Sequence, residues 1–259
     1  MKRAIIITIV STLIMSLMLV APKTHNEETK RVLVVCGEDC EKWDIAHEKD
    51  LFLDFYARDA DETSYLQGGT VEEIQTKIET FFAKADNNDI NIICFIGHGN
   101  ENMGLFGKDI ITDRQIADAV NTINGHTALF FSCCYGGTLG ENVYNKLNLD
   151  DVAVISTCGN KPSYVGTGEV WSEKVINFSD GNMNNKISIG ELYKVIKKRM
   201  VQYNIACCAA RHVSPDKVTE PMIFGNADIE VASVDVSYGY MDYMSEQINK
   251  IKQLFASKN

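Results

Sequence analysis

Two nearly continuous apolar runs, joined by one helical segment, constrain the fold of this chain more than any other feature. The runs are INIICFIGHG (90–99) and TALFFSCC (127–134), and TDRQIADAVNTI (112–123) lies between them with the spacing of a capped helix. Such runs are typical of parallel strands that are buried on both faces of a sheet. The three segments therefore predict a βαβ crossover in which both strands point the same way.

The same alternation continues along most of the chain. Further strands are predicted at 31–37 and 152–157, and a helix is predicted over 70–85, with Thr70 as N-cap and Glu73 closing a capping box. This order predicts an α/β fold, a three-layer sandwich with a mostly parallel central sheet and helices on both faces. The 259 residues are 45% hydrophobic, which is enough for one large domain or two small ones.

The amino terminus predicts export. Residues 1–21 carry two cations, Lys2 and Arg3, and then an apolar run from Ala4 to Ala21. We interpret residues 1–21 as a signal peptide or an uncleaved N-terminal anchor, and 22–30 as a linker; a leader that is not used is the third possibility. Lysine and arginine stay inside, so both main interpretations make residues 30–259 secreted or extracytoplasmic. A membrane is expected as a partner only through residues 4–21, and only if they are not cleaved.

Charge and cysteine placement argue against two further classes. A net charge of −10 without basic clusters would repel phosphate backbones, so nucleic acid is not expected as a partner. Most of the eight cysteines are predicted to be unbridged. The pairs 133/134 and 207/208 are sequence neighbours with Cα atoms about 3.8 Å apart, which is too close for a disulfide. Cys36 and Cys40 form the one local pair that could close, and Cys94 is predicted to be buried.

A histidine and a cysteine follow the two strands of the predicted crossover. The carboxyl ends of parallel strands meet at one edge of a sheet, so GHG (97–99) and SCCYGG (132–137) are expected to lie together. A histidine or a cysteine alone at such a position is more often structural. An imidazole beside a thiol, however, can take the thiol proton, and the sulfur then becomes a nucleophile. The backbone N–H groups of Gly99 and Cys134 could then form an oxyanion hole. The chemistry indicated is acyl transfer through a thioester.

These motifs resemble those of the caspase-like (clan CD) cysteine peptidases. That superfamily carries an apolar strand ending in His-Gly and a later apolar strand ending in a small residue and the nucleophile, as in CFIGHGN (94–100) and LFFSCCYGG (129–137). The spacing of 36 residues between His98 and Cys134 is similar to the compact legumain and gingipain layouts. VAVISTCGNKPSYVG (152–166) resembles the legumain pocket strand and loop, and EPMIFGNADIEV (220–231) resembles the closing segment of bacterial caspase-like domains.

The resemblance implies a peptidase domain over residues 31–235 that cleaves a peptide or protein substrate with His98 and Cys134. A shift of the motif by one residue makes Cys133 the nucleophile instead, and only one of the two thiols should face His98. Ser132 stands where many relatives carry an acid that binds a basic P1 side chain, so that preference is not carried over. The residues assigned to substrate binding are Ser132, Ser156, Ser163 and Tyr164.

Other functions remain open at this level. A transamidase or peptide ligase would resolve the same thioester with an amine, and a pseudopeptidase would use the same scaffold only to bind. A flavodoxin-like domain would need a phosphate-cradling glycine loop after the first strand, which CGEDCEKWD (36–44) does not provide. His126 precedes its strand and is expected at the opposite edge, whereas His25, His47 and His212 are interpreted as surface or loop residues.

A second motif, DGNMNNKISIGE (180–191), has the twelve-residue spacing of an EF-hand calcium loop. Asn185 replaces the usual glycine, and asparagine tolerates the left-handed conformation that this position needs. The motif predicts a structural Ca²⁺ of modest affinity that takes no part in the chemistry; the alternative is a polar turn between two helices. The predicted ligands are Asp180, Asn182, Asn184, the Lys186 carbonyl, Ser188 and Glu191.

The carboxyl-terminal segment, residues 236–259, predicts one more helix. YMDYMSEQINKIKQLF (240–255) has an amphipathic pattern, and its apolar stripe favours core packing over a partner site.

Overall fold

A computed structural model describes residues 28–38, 45–162, 180–211, 214 and 219–234. The described elements are, in chain order, β1 (Lys30–Cys36), α1 (Ile45–Tyr56), β2 (Glu62–Gln67), α2 (Val71–Phe81), β3 (Ile90–Ile96), β4 (His98–Gly99), β5 (Met103–Leu105), β6 (Ile111–Thr112), α3 (Asp113–Val120), β7 (His126–Ser132), α4 (Gly136–Tyr144), β8 (Val152–Ser156), β9 (Lys186–Ser188), α5 (Ile189–Arg211), β10 (Met222–Gly225) and β11 (Glu230–Ser233).

Six strands form the central sheet in the order β10-β8-β7-β3-β1-β2. All neighbouring pairs are parallel except β10, which runs antiparallel to β8. The strands β3 and β7 are direct neighbours, with Ile96 paired to Ser132 at their carboxyl ends. The predicted crossover is therefore confirmed, and it brings the residues after Ile96 and after Ser132 to the same edge.

The helices form one layer on each side of this sheet. Side chains alternate along a strand, so each face of the sheet has its own apolar cluster. One cluster includes Val32 of β1, Phe52 of α1 and Ile196 of α5. The other includes Leu33 of β1 and Ile74 of α2, together with residues of α3 and α4. The three-layer α/β sandwich expected from the sequence is confirmed.

Local signals placed the helix starts well. Thr70 caps α2: its hydroxyl accepts from the Glu73 N–H at 3.2 Å, and its own N–H donates to the Glu73 carboxylate at 2.8 Å. Thr112 forms the same capping box with Gln115 before α3. The helix α2 ends at Phe81, earlier than predicted, and the predicted helix at 240–255 lies outside the described residues.

Two smaller sheets complete the fold. The strands β4, β5 and β6 form an antiparallel meander that directly follows β3, and β9 pairs antiparallel with β11. Cys36 and Cys94 are buried thiols rather than disulfides, as predicted for Cys94, while Cys40 lies outside the described residues. Within the described ranges, none of the helices has the length and apolarity that crossing a bilayer requires.

A buried ion pair lies at the amino-terminal edge of the sheet, opposite the His-Cys edge. The Arg31 guanidinium donates to the Asp89 carboxylate at 2.5 Å, and that carboxylate also accepts the N–H groups of Thr29 and Asp86 at 2.9 and 3.0 Å. Burial alone would raise the pKa of Asp89, but the hydrogen bonds from Asp86 and Arg31 outweigh it and hold the pKa below its ordinary value.

Asp89→Ala is expected to lower the free energy of unfolding by about 3 kcal/mol at neutral pH, because the Arg31 guanidinium stays buried after the carboxylate of Asp89 is removed. The folded-state pKa lies below the unfolded one, so this contribution is present above about pH 4 and is lost as the pH falls through the folded-state pKa. Urea denaturation at several pH values measures it. Asp118→Ala, which removes the exposed i,i+4 partner of Arg114, is the control; equal losses in the two variants would contradict the prediction.

Candidate active site

The histidine turn continues the β3 ladder. The Gly97 N–H donates to the Ser132 carbonyl at 3.2 Å, so the pairing of β3 with β7 extends one residue beyond β3. His98 and Gly99 then form β4, in which His98 lies opposite Leu105 of β5. The His98 residue is exposed. The imidazole is therefore carried at the carboxyl edge of the sheet by a backbone that is hydrogen-bonded on both sides of the turn.

The cysteine turn is tight and leads directly into a helix. Cys133 follows the last residue of β7, Cys134 comes next, and Tyr135 adopts a left-handed conformation with φ of 55°. The helix α4 begins at Gly136, so Cys134 lies just before its amino terminus. The Tyr135 N–H donates to the Lys161 carbonyl at 3.1 Å, which fixes the turn against the residues after β8.

The two turns touch each other at Gly99. A Cβ atom at this glycine would lie 2.7 Å from the Cys133 Sγ and 2.7 Å from the Cys134 carbonyl oxygen. Cβ atoms are essentially never found that close to another atom, so only glycine permits this approach. The structure therefore brings together the histidine turn and the cysteine turn at one edge of the sheet.

The two adjacent thiols have different surroundings. Cys133 is 4% exposed and packs in the apolar cluster that includes α4, whereas Cys134 is half-buried. Burial raises the pKa of the Cys133 thiol well above its ordinary value, and the nearby Cys158, Cys134 and Glu48 raise it further. Cys133 therefore stays protonated at neutral pH and behaves as a core residue.

The predicted substrate-binding serines contact protein atoms. The Ser132 hydroxyl donates to the buried Glu48 carboxylate of α1. The Ser156 hydroxyl, also buried, donates to the Cys158 carbonyl at 2.7 Å and accepts the Met222 N–H at 3.2 Å. Contact of either serine with a substrate stays a prediction. Ser163 and Tyr164 lie outside the described residues.

Glu48 is a residue of this edge that the sequence did not indicate. It lies 84 residues before Ser132, on a helix without a motif. Two other histidines lie elsewhere: His126 begins β7 at the opposite edge, as expected, where it contacts the Asp151 carboxylate, and His47 is exposed on α1. His25 and His212 lie outside the described residues.

The loop 180–191 is closed by its own side-chain oxygens. Asp180 accepts the N–H groups of Asn184 and Asn185 at 3.2 and 2.9 Å. The Glu191 carboxylate accepts the N–H groups of Gly181 and Ser188, both at 3.1 Å. Asn182 and Asn184 also turn their oxygens inward, onto N–H groups two residues further on. The side chains of Asp180, Asn182, Asn184 and Glu191 thus all accept N–H groups of the loop to which they belong.

The backbone of this loop is left-handed at both Met183 and Asn185. Asn185, at the position where glycine is usual, is left-handed with φ of 64°, and Ile187 is buried in β9. The helix α5 starts at Ile189, within the last three residues of the loop. Over the described parts of the chain, no three His, Cys, Asp or Glu side chains are grouped as metal ligands. The oxygens of this loop come instead from two carboxylates, two amides, a hydroxyl and a carbonyl, a set suited to Ca²⁺.

Comparison with solved structures identifies the class of fold. Caspase-1 from Spodoptera frugiperda aligns with a TM-score of 0.50 and 14% identity, over 78% of this chain and 88% of that chain. Protein GSU0716 from Geobacter sulfurreducens aligns with a TM-score of 0.50 and 13% identity, over 76% of this chain and 92% of that chain. Together with the strand order, these likenesses show the caspase-like fold.

The family follows from the sequence as a whole. The model of peptidase family C25 matches residues 14–232, so the chain belongs to peptidase family C25, a family of clan CD cysteine peptidases. No curated protein sequence matches the chain.

Proposed function

We propose that this chain is an exported cysteine endopeptidase that uses Cys134 as nucleophile and His98 as general base. The observation that carries the proposal is the contact at Gly99, where the histidine turn meets the carbonyl of Cys134 and the side chain of Cys133. The contact supports the proposal because it is between the two turns that carry His98 and Cys134, at the edge where open α/β sheets bind their ligands.

The proposed reaction has two halves. His98 takes the thiol proton as the Cys134 sulfur bonds to the substrate carbonyl carbon, and the N–H groups of Gly99 and Cys134 hold the oxyanion. His98 then gives the proton to the leaving amine as the C–N bond breaks, which leaves a thioester. In the second half His98 deprotonates a water, whose oxygen bonds to the thioester carbon as the C–S bond breaks, and His98 then returns the proton to the Cys134 sulfur.

The choice of Cys134 over Cys133 rests on burial and on the helix. Cys133 is enclosed in the apolar cluster, whereas Cys134 is half-buried immediately before α4. The amino terminus of a helix favours a nearby negative charge, including a thiolate. An accessible thiol at a helix start is the better nucleophile.

Covalent labelling tests the assignment. We expect a short treatment of the native protein with iodoacetamide to alkylate Cys134 and spare Cys133, because burial keeps Cys133 protonated and covered. Fragmentation mass spectrometry of the peptide that contains both residues locates the label, and the urea-unfolded protein, in which both thiols react, is the control. Equal labelling of the two thiols in the native protein would contradict the assignment.

A second experiment separates hydrolysis from transamidation. It identifies the products that form when amines are added to the reaction.

We further propose that residues 1–21 direct the chain out of the cytoplasm. The support is the pattern of two cations followed by an 18-residue apolar run. The amino-terminal sequence of the protein recovered after expression in its host, from medium and from membranes, separates a cleaved signal from an anchor.

A structural Ca²⁺ in the loop 180–191 is also part of the proposal. The support is the left-handed Asn185 and the inward-facing oxygens of Asp180, Asn182, Asn184 and Glu191. The ion would hold the start of α5, whose first turns pack in the core through Ile189 and Leu192.

Calcium at 10 mM is expected to raise the melting temperature by about 3–8 °C, since a site of millimolar or submillimolar Kd contributes about 1.5–3 kcal/mol at that concentration. Calorimetry with and without Ca²⁺ measures the shift. Mg²⁺ at the same concentration controls for ionic strength, and Glu191→Gln is expected to remove most of the shift. A wild-type melting temperature that does not respond to Ca²⁺ would eliminate the site.

A further inference from the structure

One side chain ties the helix behind the cysteine turn to the chain behind the histidine turn. Asn142 lies on α4, the helix that begins two residues after Cys134. Its amide nitrogen donates to the Glu101 carbonyl at 2.8 Å and to the Asn102 side-chain oxygen at 2.9 Å. These two bonds link the element that follows the proposed nucleophile to the turn that follows His98.

The turn that receives these bonds is itself closed by hydrogen bonds. The Asn100 side-chain oxygen accepts the N–H groups of Asn102 and Met103 at 3.0 and 3.1 Å, and the Asn100 N–H donates to the Met103 carbonyl at 2.9 Å. The Asp113 N–H donates to the Asn102 carbonyl at 2.9 Å, which connects the turn to α3. Because Asn100 directly follows Gly99, a displacement of this turn is transmitted to β4 and therefore to His98.

We infer that Asn142 is a positioning residue for the proposed reaction: it sets the place of His98 relative to Cys134 by holding the turn at 100–103 against α4. The inference rests on the proposed function. The bonds of Asn142 to Glu101 and Asn102 act on His98 through the backbone of β4. A misplacement of about 1 Å in a reacting pair is enough to reduce rates by one to two orders of magnitude.

The chain provides a matched control in Asn121. Its side chain also makes two hydrogen bonds between neighbouring segments of the same layer, donating to the Lys146 carbonyl at 3.2 Å and accepting the Asn148 N–H at 2.7 Å. These bonds join the end of α3 to the chain after α4 and do not involve the histidine turn. The loss of two surface hydrogen bonds is thus common to both positions, whereas the link to His98 is particular to Asn142.

The test is the rate at which iodoacetamide alkylates Cys134 at neutral pH. Asn142→Leu is expected to slow this reaction about tenfold, because the imidazole no longer meets the thiol in one fixed geometry. Asn121→Leu is expected to leave it unchanged, although both variants should lose similar thermal stability. Asn142→Ser replaces Asn142→Leu if the leucine variant folds poorly. The serine hydroxyl is too short to reach Glu101, so we expect the same tenfold slower alkylation. Asn142→Gln keeps the donors and is expected to stay within about threefold of the wild type.

A double-mutant cycle shows whether Asn142 acts through His98. In a His98→Ala background the Asn142→Leu change is expected to have no further effect on the alkylation rate. A full tenfold loss in that background, a wild-type rate in the Asn142→Leu and Asn142→Ser single variants, or an equal loss in Asn121→Leu would overturn the inference while leaving the proposed function in place. If His98→Ala alone does not slow alkylation, the proposed function fails and the inference fails with it.

Discussion

Cys134→Ala is expected to abolish peptidase activity, by a factor of about 10⁴ or more, whereas Cys133→Ala is expected to keep most of it. The proposed thioester forms on Cys134, and no other residue of the turn offers an accessible sulfur to replace it. Cys133 faces the apolar cluster on the α4 side of the sheet, so its loss removes packing instead of chemistry. We expect Cys133→Ala to lower the free energy of unfolding by about 1–2 kcal/mol.

Activity is measured as cleavage of a mixed peptide library, read out by mass spectrometry, since the P1 preference is part of what the assay discovers. Urea denaturation of both variants shows whether each is folded when it is assayed. An active Cys134→Ala protein, or a folded Cys133→Ala protein without activity, would reverse the assignment of the nucleophile.

His98→Ala is expected to reduce peptidase activity by a factor of about 10²–10⁴, the range of a lost general acid–base group. Alkylation of Cys134 should fall in parallel, because the substitution removes the group proposed to take the thiol proton. His126→Ala is the matched control. It removes a histidine that contacts a carboxylate, that of Asp151, but lies at the amino-terminal edge of the same sheet.

Both histidine variants are compared at equal folded fractions, as shown by their thermal melts. The control should keep activity within about twofold of the wild type, since His126 lies at the far end of β7 from the cysteine turn. Comparable losses in the two variants would indicate that activity follows stability, and the role proposed for His98 would be withdrawn.

The central strands could be predicted from the sequence because their environment repeats along the chain. Four strands are buried on both faces, and the sequence of each is therefore an almost unbroken apolar run. They are β1, β3, β7 and β8. β2 was not predicted. It is one of the two edge strands of the described sheet, and its sequence ETSYLQ mixes exposed and half-buried residues, so only its pairing with β1 defines it. The helix α1 was not predicted either.

The site could be predicted only in part, for a related reason. His98 and Cys134 end strands that are recognisable, and the rule for parallel strands then places them at one edge. Glu48 and Asn142 reach that edge from helices, through contacts between residues far apart in the chain, and no local pattern reports such contacts. The difference between Cys133 and Cys134 also required the structure, since adjacent letters in the sequence do not reveal which thiol is enclosed.

The antiparallel pairing of β10 with β8 has a consequence for the integrity of the protein. The part of the chain after residue 180 is held to the rest by this ladder and by Ile187, Ile189 and Leu192, which are buried in the cluster on the α1 side of the sheet. These contacts are made by described residues on either side of the connection through residues 163–179. After a backbone cut within that connection, we expect the two fragments to remain associated under native conditions and to dissociate only in denaturant.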